Sequence, residues 1–115
     1  MQVPKDAVLL RIFFGEGDKY QGKPLYEAIV MKAREMRLAG ATVLRGPMGF
    51  GHSSHVHTAK ILRLSEDLPL VIEIVDAEDK IDAFLPVIDP MIGSGLVTLE
   101  KVKVLQYGEG QIAKA

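Results

Sequence analysis

Residues Ala7 to Phe14 read AVLLRIFF, an apolar run broken only by Arg11. Its length and its Val, Ile and Phe content specify a strand. A strand apolar on both sides must be covered on both sides, by helices, by another sheet or by a second copy of the chain. This requirement recurs. Leu68 to Val75 (LPLVIEIV) is a second such run, with Glu73 its only charge. Leu96 to Leu105 is a third, alternating in part through Val97, Leu99, Val102 and Val104, with Glu100, Lys101 and Lys103 expected on its other face.

Two helical patterns separate the runs. From Pro24 to Ala39, residues Leu25, Ala28, Ile29, Ala33 and Met36 recur at steps of three and four and form one apolar face. Gly40 stands where a left-handed residue would end that helix. Thr42 to Leu44 then reads as a strand, and Gly46-Pro47 predicts a bulge or a sheet edge, because proline cannot donate to a central ladder. Downstream, Asp76 is the expected helix cap, with Glu78 and Asp79 in the first turn. Ile81, Phe84, Leu85 and Ile88 keep helical spacing. Pro86 predicts a kink or break within that helix, and Pro90 its end. Thr58 to Leu64 has no decisive pattern, and Gly108 to Ala115 reads as a frayed tail.

The order β-α-β-β-α-β predicts an α+β, ferredoxin-like sandwich: a four-stranded antiparallel sheet with two helices on one face. The strands are apolar on both faces, so the sheet face away from the helices is expected to be buried by self-association. A length of 115 residues fits a single domain over 1–115, with its core between about 7 and 107. No apolar run approaches the roughly 18 residues of a membrane helix, and Met1 to Asp6 lacks the apolar stretch of a signal peptide. With no cysteine, disulfides and thiolate metal sites are excluded. The formal net charge of −1 gives no reason to expect nucleic-acid or membrane binding. These features predict a soluble, cytoplasmic protein.

Four segments carry residue types suited to chemistry. Gly17, Gly22 and Lys23 have P-loop spacing between a strand and a helix. Pro24 occupies the place of the magnesium-binding Ser or Thr, however, and Asp18 would repel phosphate, so the segment reads as a polar loop. Gly49-Phe50-Gly51 and Gly93-Ser94-Gly95 are glycine segments whose backbone N–H groups suit an anion-binding concavity. The alternative for both is an ordinary turn. His52, His55 and His57 fall close together and supply imidazole ligands for a metal. With Ser53, Ser54 and Asp67 they also supply the residue types of a small hydrolase, but without a nucleophile elbow. Lys5, Arg11, Lys19 and Arg45 read as surface or edge charges.

These segments, in this order, resemble the PII-like signalling proteins, and more closely their relatives grouped as domain of unknown function 190. The carrying residues are Gly40-Ala41-Thr42-Val43, Gly49-Phe50-Gly51 and Gly93-Ser94-Gly95-Leu96-Val97, with Gly22-Lys23-Pro24-Leu25 and Leu68 to Asp76 matching the second group. The resemblance implies a homotrimer with an adenine nucleotide (ATP, ADP or AMP, with or without magnesium) in each cleft between subunits. Gly49 and Gly51 would line the nucleotide at the base of a loop; His52, next to Gly51, is a phosphate contact in the alternative to its metal-ligand reading. Gly93, Ser94 and Gly95 would face the phosphates, Thr42 would reach the adenine from a neighbouring subunit, and Lys101 and Lys103 would supply positive charge. It also implies a regulatory protein rather than an enzyme, signalling through loop 51–59 to a protein partner such as a membrane transporter. The chain departs from the PII pattern in several places. Ser94 replaces an aspartate, Leu96 stands in place of a phosphate-holding lysine, the C-terminal arginines are missing, and no counterpart of the modified tyrosine is present. The competing expectations are a metal-binding or hydrolytic protein built on His52, His55 and His57, and a purely structural trimer.

Overall fold

The computed structural model describes residues 2–51, 57–58 and 68–114, with backbone alone at 57–58. The expectations placed on His52, Ser53, Ser54, His55, Asp67 and most of Thr58 to Leu64 lie outside the described residues, as do the side chain of His57 and most of loop 51–59.

Strand β1 (Asp6–Gly15) is followed by a two-residue pair, β2 (Lys19–Tyr20) and β3 (Lys23–Pro24), and then by helix α1 (Leu25–Glu35). Strands β4 (Thr42–Arg45), β5 (Met48–Gly49) and β6 (His57–Thr58) come next. After them come β7 (Pro69–Asp76), α2 (Glu78–Ile88), a 3₁₀ turn (Asp89–Met91) and β8 (Leu96–Lys103). The main sheet has the order β4-β7-β1-β8, antiparallel throughout. This is the predicted ferredoxin-like arrangement.

The alternation in β1 and β7 is what builds the two layers. Val8, Leu10, Ile12 and Phe14 of β1, with Leu70, Ile72 and Ile74 of β7, point toward the helices and are buried. They meet Leu25, Ile29 and Ala33 of α1 and Ile81, Phe84 and Ile88 of α2 in one core cluster. The intervening residues, Leu9, Arg11, Phe13, Val71, Glu73 and Val75, form the other face and are half-buried. Strand β4 is a sheet edge, as Gly46-Pro47 predicts. The opposite edge is β8, where Leu96, Val97 and Leu99 are exposed, and Leu44 on β4 is exposed as well. Direct pairing of Val8 with Lys101 and of Leu9 with Glu100 puts those two charges on opposite faces. The expected common face for Glu100, Lys101 and Lys103 is therefore not formed.

Three local expectations are corrected. First, α1 stops at Glu35 rather than running to Ala39, and Arg37, not Gly40, takes the left-handed conformation, with φ 60°. Leu38 N–H donates to Ala33 O and Arg37 N–H to Arg34 O, each at 3.0 Å. This is a Schellman closure. It buries Leu38 beside Ala33 in the core, and that burial outweighs the steric cost of a left-handed arginine. Second, α2 runs unbroken through Pro86, which lies exposed in its last turn, where the Asp82 carbonyl left without an N–H partner can reach water. Third, the segment after β8 is not frayed. Gly108 (φ 76°) and Gly110 (φ 135°) turn the chain back, and Ala113 N–H donates to Leu105 O at 2.8 Å.

Candidate functional site

The P-loop spacing resolves into a hairpin. Gln21 (φ 51°) and Gly22 (φ 80°) both take positive φ between β2 and β3, the requirement of a type I′ turn. Asp18 accepts from Gly15 N–H through its carboxylate at 3.4 Å and from Leu25 N–H through its carbonyl at 2.8 Å. The backbone donors that a phosphate would need at the start of α1 are thus partly consumed, and the carboxylate faces the loop.

The two glycine segments lie at the same end of the main sheet. Gly46 N–H donates to Pro69 O at 2.7 Å, and Gly49 packs against the Pro69 ring, so the β4–β5 connection sits at the start of β7. Gly95 lies against the last residues of β1, because Leu96 pairs with Phe13. The segments nevertheless emerge at opposite edges, β4 and β8, with two strands between them. At about 4.8 Å per strand the edges are about 14 Å apart. One chain therefore does not bring Gly49 and Gly51 together with Gly93 to Gly95.

Gly93, Ser94 and Gly95 line a cleft of about 390 Å³ with Leu85, Ile88, Asp89, Ile92 and Val97. Neither Gly93 nor Gly95 has positive φ. Gly95 is needed for another reason: a Cβ there would lie 2.6 Å from Phe13 O. At Gly93 and Gly51 nothing lies within 4 Å of such a Cβ. The cleft meets the negative end of α2 and includes Asp89, and among the described residues no lysine or arginine lines it. Lys101 and Lys103 are six and eight residues from Gly95 along an extended strand, about 20 Å and 27 Å away at 3.3–3.4 Å per residue. Lys103 is paired with Asp6 at 3.2 Å. The structure thus separates these lysines from the glycines they were expected to assist.

Thr42 belongs to a different place. A larger cleft of about 710 Å³ lies on the open face of the sheet, toward the start of β4 and the end of β8. Its floor is Leu9, Arg11, Glu73 and Val75, one rim is Ala39 to Thr42, and the other is Val104 to Tyr107 with Ile112. Arg11 sits in its floor between two carboxylates. Its Nε donates to Glu73 at 2.9 Å and its NH1 to Glu100 at 3.0 Å. The hydrogen bond to Glu73, with the charges of Glu73 and Glu100, holds the guanidinium above its ordinary range despite some desolvation. Arg45, read from sequence as an edge charge, is paired with Glu16.

Asp76 is the residue whose role the sequence hid. It does not cap α2, whose N-cap is Ala77. It is fully buried, and its carboxylate accepts from Ala77 N–H at 2.7 Å and from Ala39 N–H at 2.8 Å, with Lys80 Nζ at 4.0 Å. On the other side of the same residue, the Tyr107 hydroxyl donates to Ala39 O at 2.6 Å. Three distant segments therefore meet at Ala39, beside Thr42. A buried Asp after an apolar strand was the available signal, but its partner lies 37 residues away. Among the described residues, no group of three or more His, Asp or Glu is arranged to hold a metal. No helix among them is long and apolar enough to cross a membrane.

The model of the DUF190 family (uncharacterized ACR) matches residues 7–104, most of the chain and nearly all of its sheet and helices. The chain belongs to the DUF190 family. A UPF0166 protein of Aquifex aeolicus is 42% identical over 97 residues, covering 84% of this chain and 91% of the relative. One from Methanocaldococcus jannaschii is 37% identical over 94 residues, covering 81% and 86%. Among solved structures, the DUF190 chain is similar to CPII, a nitrogen regulatory PII-like protein from Thiomonas intermedia bound to ADP, AMP and bicarbonate, with TM-score 0.67 and 17% identity over 86% of this chain and 88% of that one. It is also similar to the B. subtilis GlnK–ATP complex, with TM-score 0.54 and 13% identity over 88% and 85%. The fold is PII-like.

Proposed function

We propose that this DUF190 protein is a PII-like regulatory protein that binds an adenine nucleotide between subunits of a homotrimer. In this reading it acts by binding rather than by turnover. The observation that carries the reading is the placement of the two glycine segments at one end of the sheet but on opposite edges. A ligand touching both must bridge two copies, with the β4 edge of one beside the β8 edge of the next. Such head-to-tail contacts close into a ring when the rotation between copies allows it. The exposed Leu44, Leu96, Val97 and Leu99 on those two edges favour the same contact, since isolated apolar edges attract pairing. The 710 Å³ cleft has the size of a small-molecule site. It offers Thr42 as a polar contact and Leu9 and Val75 as apolar walls for a purine. Gly93, Ser94 and Gly95 would meet the phosphates, with cations supplied by a neighbour, since no lysine or arginine lines their cleft among the described residues. The crystallisation of CPII with ADP and AMP, and of GlnK with ATP, supports adenine nucleotide as the ligand class. Signalling to a protein partner through loop 51–59, with a membrane transporter as one candidate partner, rests on the analogy of fold.

Calorimetry with ATP, ADP and AMP, each with and without magnesium, tests the reading, together with light scattering for the trimer. Heat with a stoichiometry of one nucleotide per chain is expected. No heat at millimolar nucleotide overturns it, as does saturable binding by a monomer.

A further inference from the structure

Arg45 and Gly95 stand in one row of the sheet, at its two edges. Arg45 on β4 pairs with Leu70 on β7, and Leu70 pairs with Phe14 on β1. One step beyond the Phe13–Leu96 pair, the antiparallel register sets Phe14 opposite Gly95. Both edges of this row border the helix side of the sheet. Arg45 shares its side with Leu70, which is buried in the core with the helices, and the cleft beside Gly95 is lined by Leu85 and Ile88 of α2. That cleft carries Asp89 and the C-terminal end of α2, so an anion enters it only with a cation brought alongside. Between Thr42 and Gly51, Arg45 is the only lysine or arginine. Within its own chain its guanidinium is committed to Glu16. The two partners are not equally held. Glu16 follows β1 directly, its backbone N–H donates to Leu68 O at 2.8 Å, and its side chain is 21% exposed, against 57% for Arg45. Arg45 is therefore the partner that can swing away.

We propose that Arg45 is the phosphate-binding cation that each copy lends to its neighbour's Gly93 to Gly95, and that Glu16 is an internal anion that occupies it until a polyphosphate takes its place. The inference rests on the nucleotide reading above and names the cation which that reading requires. In a head-to-tail ring whose axis runs along the strands, every row keeps its level, so the β4 edge of one copy brings Arg45 to the height of Gly95 on the next. Arg45 lies three residues from Thr42, about 10 Å along the strand at 3.3–3.4 Å per residue. A nucleotide with its base beside Thr42 reaches Arg45 with its distal phosphates, passing round the β4 edge from the open face to the helix side. A guanidinium donates to a phosphate as it does to a carboxylate, through paired N–H groups, so the two compete for the same donors. The apparent affinity for a polyphosphate is then the intrinsic affinity scaled by the fraction of Arg45 that Glu16 does not hold.

The test is calorimetry of the full-length protein with ATP and with AMP, in Arg45→Gln, Glu16→Gln and the double variant. Arg45→Gln is expected to lose roughly ten- to hundredfold in ATP affinity, the worth of a hydrogen bond to a charged group. It should lose far less for AMP, whose single phosphate lies next to the ribose. Glu16→Gln is expected to gain roughly two- to fivefold for ATP, the worth of a partly exposed ion pair. The double variant should bind ATP as Arg45→Gln does, because Glu16 acts only through Arg45. Unchanged ATP affinity in Arg45→Gln, or equal losses for ATP and AMP, overturns the cation. No gain in Glu16→Gln, or the same gain in the absence of Arg45, overturns the internal anion. The lending between copies has its own readout. The chain contains no cysteine, so in Arg45→Cys/Ser94→Cys a short bismaleimide should join chains into dimers and trimers on a denaturing gel, and in neither single variant. Monomers alone overturn the shared site, whatever the affinities. If the wild-type protein binds no ATP, the nucleotide reading itself falls and takes this inference with it. If it binds ATP and only the variants fail, that reading stands without Arg45.

Discussion

Replacing Asp76 by Asn changes one atom of the buried clamp and should cost more than most core truncations of similar size. The carboxylate accepts two backbone N–H bonds, from Ala77 at 2.7 Å and Ala39 at 2.8 Å, in a site with no solvent exposure. An amide presents one carbonyl oxygen and one NH₂ group, so it can accept on one side only. On the other side two donors face each other. Losing a hydrogen bond to a charged group costs roughly 1.5–3 kcal/mol, and leaving a buried N–H unpaired costs about 1–3 kcal/mol more. A loss of about 4 kcal/mol is therefore expected, against a total stability on the order of 5–15 kcal/mol. The assay is urea unfolding at a fixed chain concentration, because self-association would otherwise shift the midpoint. With a slope of about 1–3 kcal/mol per molar urea, the midpoint should fall by roughly 1.3–4 M at unchanged slope. Glu100→Gln is the control. It removes a largely exposed carboxylate from Arg11, while Glu73 keeps its own bond to Arg11. Such exposed pairs are worth at most about 1 kcal/mol. A fall of less than about 0.5 M for Asp76→Asn, in protein that is otherwise folded, would refute the clamp.

Two further substitutions probe the corrected backbone. Gly95→Ala puts a Cβ 2.6 Å from Phe13 O, a backbone atom with no freedom to rotate away; overpacking of this kind should destabilise by about 1–3 kcal/mol in thermal unfolding. Gly93→Ala, with open space at the same atom, should stay within about 0.5 kcal/mol, which makes it the cleaner variant for testing the phosphate end of the site. Equal effects of the two would show that Gly95 is not held by β1. Pro86→Ala restores an N–H in the last turn of α2 at an exposed position and should stabilise by about 1–3 kcal/mol in the same assay. A loss of stability would mean that the ring packs against something.

What was legible in the sequence was whatever repeats at short range. The length of the apolar run AVLLRIFF and its Val, Ile and Phe content specified a strand to be covered on both faces, and the helix layer covers one of them. Gly46-Pro47 marked an edge, and β4 is an edge. Where several local rules competed, the composition misled. Gly40 is the better left-handed residue by intrinsic preference, but the closure of α1 is decided three residues earlier, where Leu38 can reach the core. Pro86 predicts a kink or break in a helix interior, yet at an exposed last turn it frees only a carbonyl that water satisfies. The larger cleft was out of reach altogether, since its floor and rims come from distant parts of the chain and the clamp at Ala39 alone joins it to residues 37 and 68 positions away. Thr42 was singled out by its motif, but Asp76, Tyr107 and Ile112 carry no short-range sign of meeting beside it.

The strand order also sets a schedule for synthesis. The central strand β1 is among the first segments made, yet its two neighbours are β7 and β8, and the first residue of β7 lies 54 positions beyond the last of β1 (69 − 15). At roughly 5–20 residues per second, β1 waits about 3–11 s on the ribosome before either partner exists. During that time a strand meant to be covered on both faces has no ladder, and of its coverings only α1 has been made. Arg11, the one charge in the run AVLLRIFF, then has a second use as the residue that interrupts an otherwise adhesive segment.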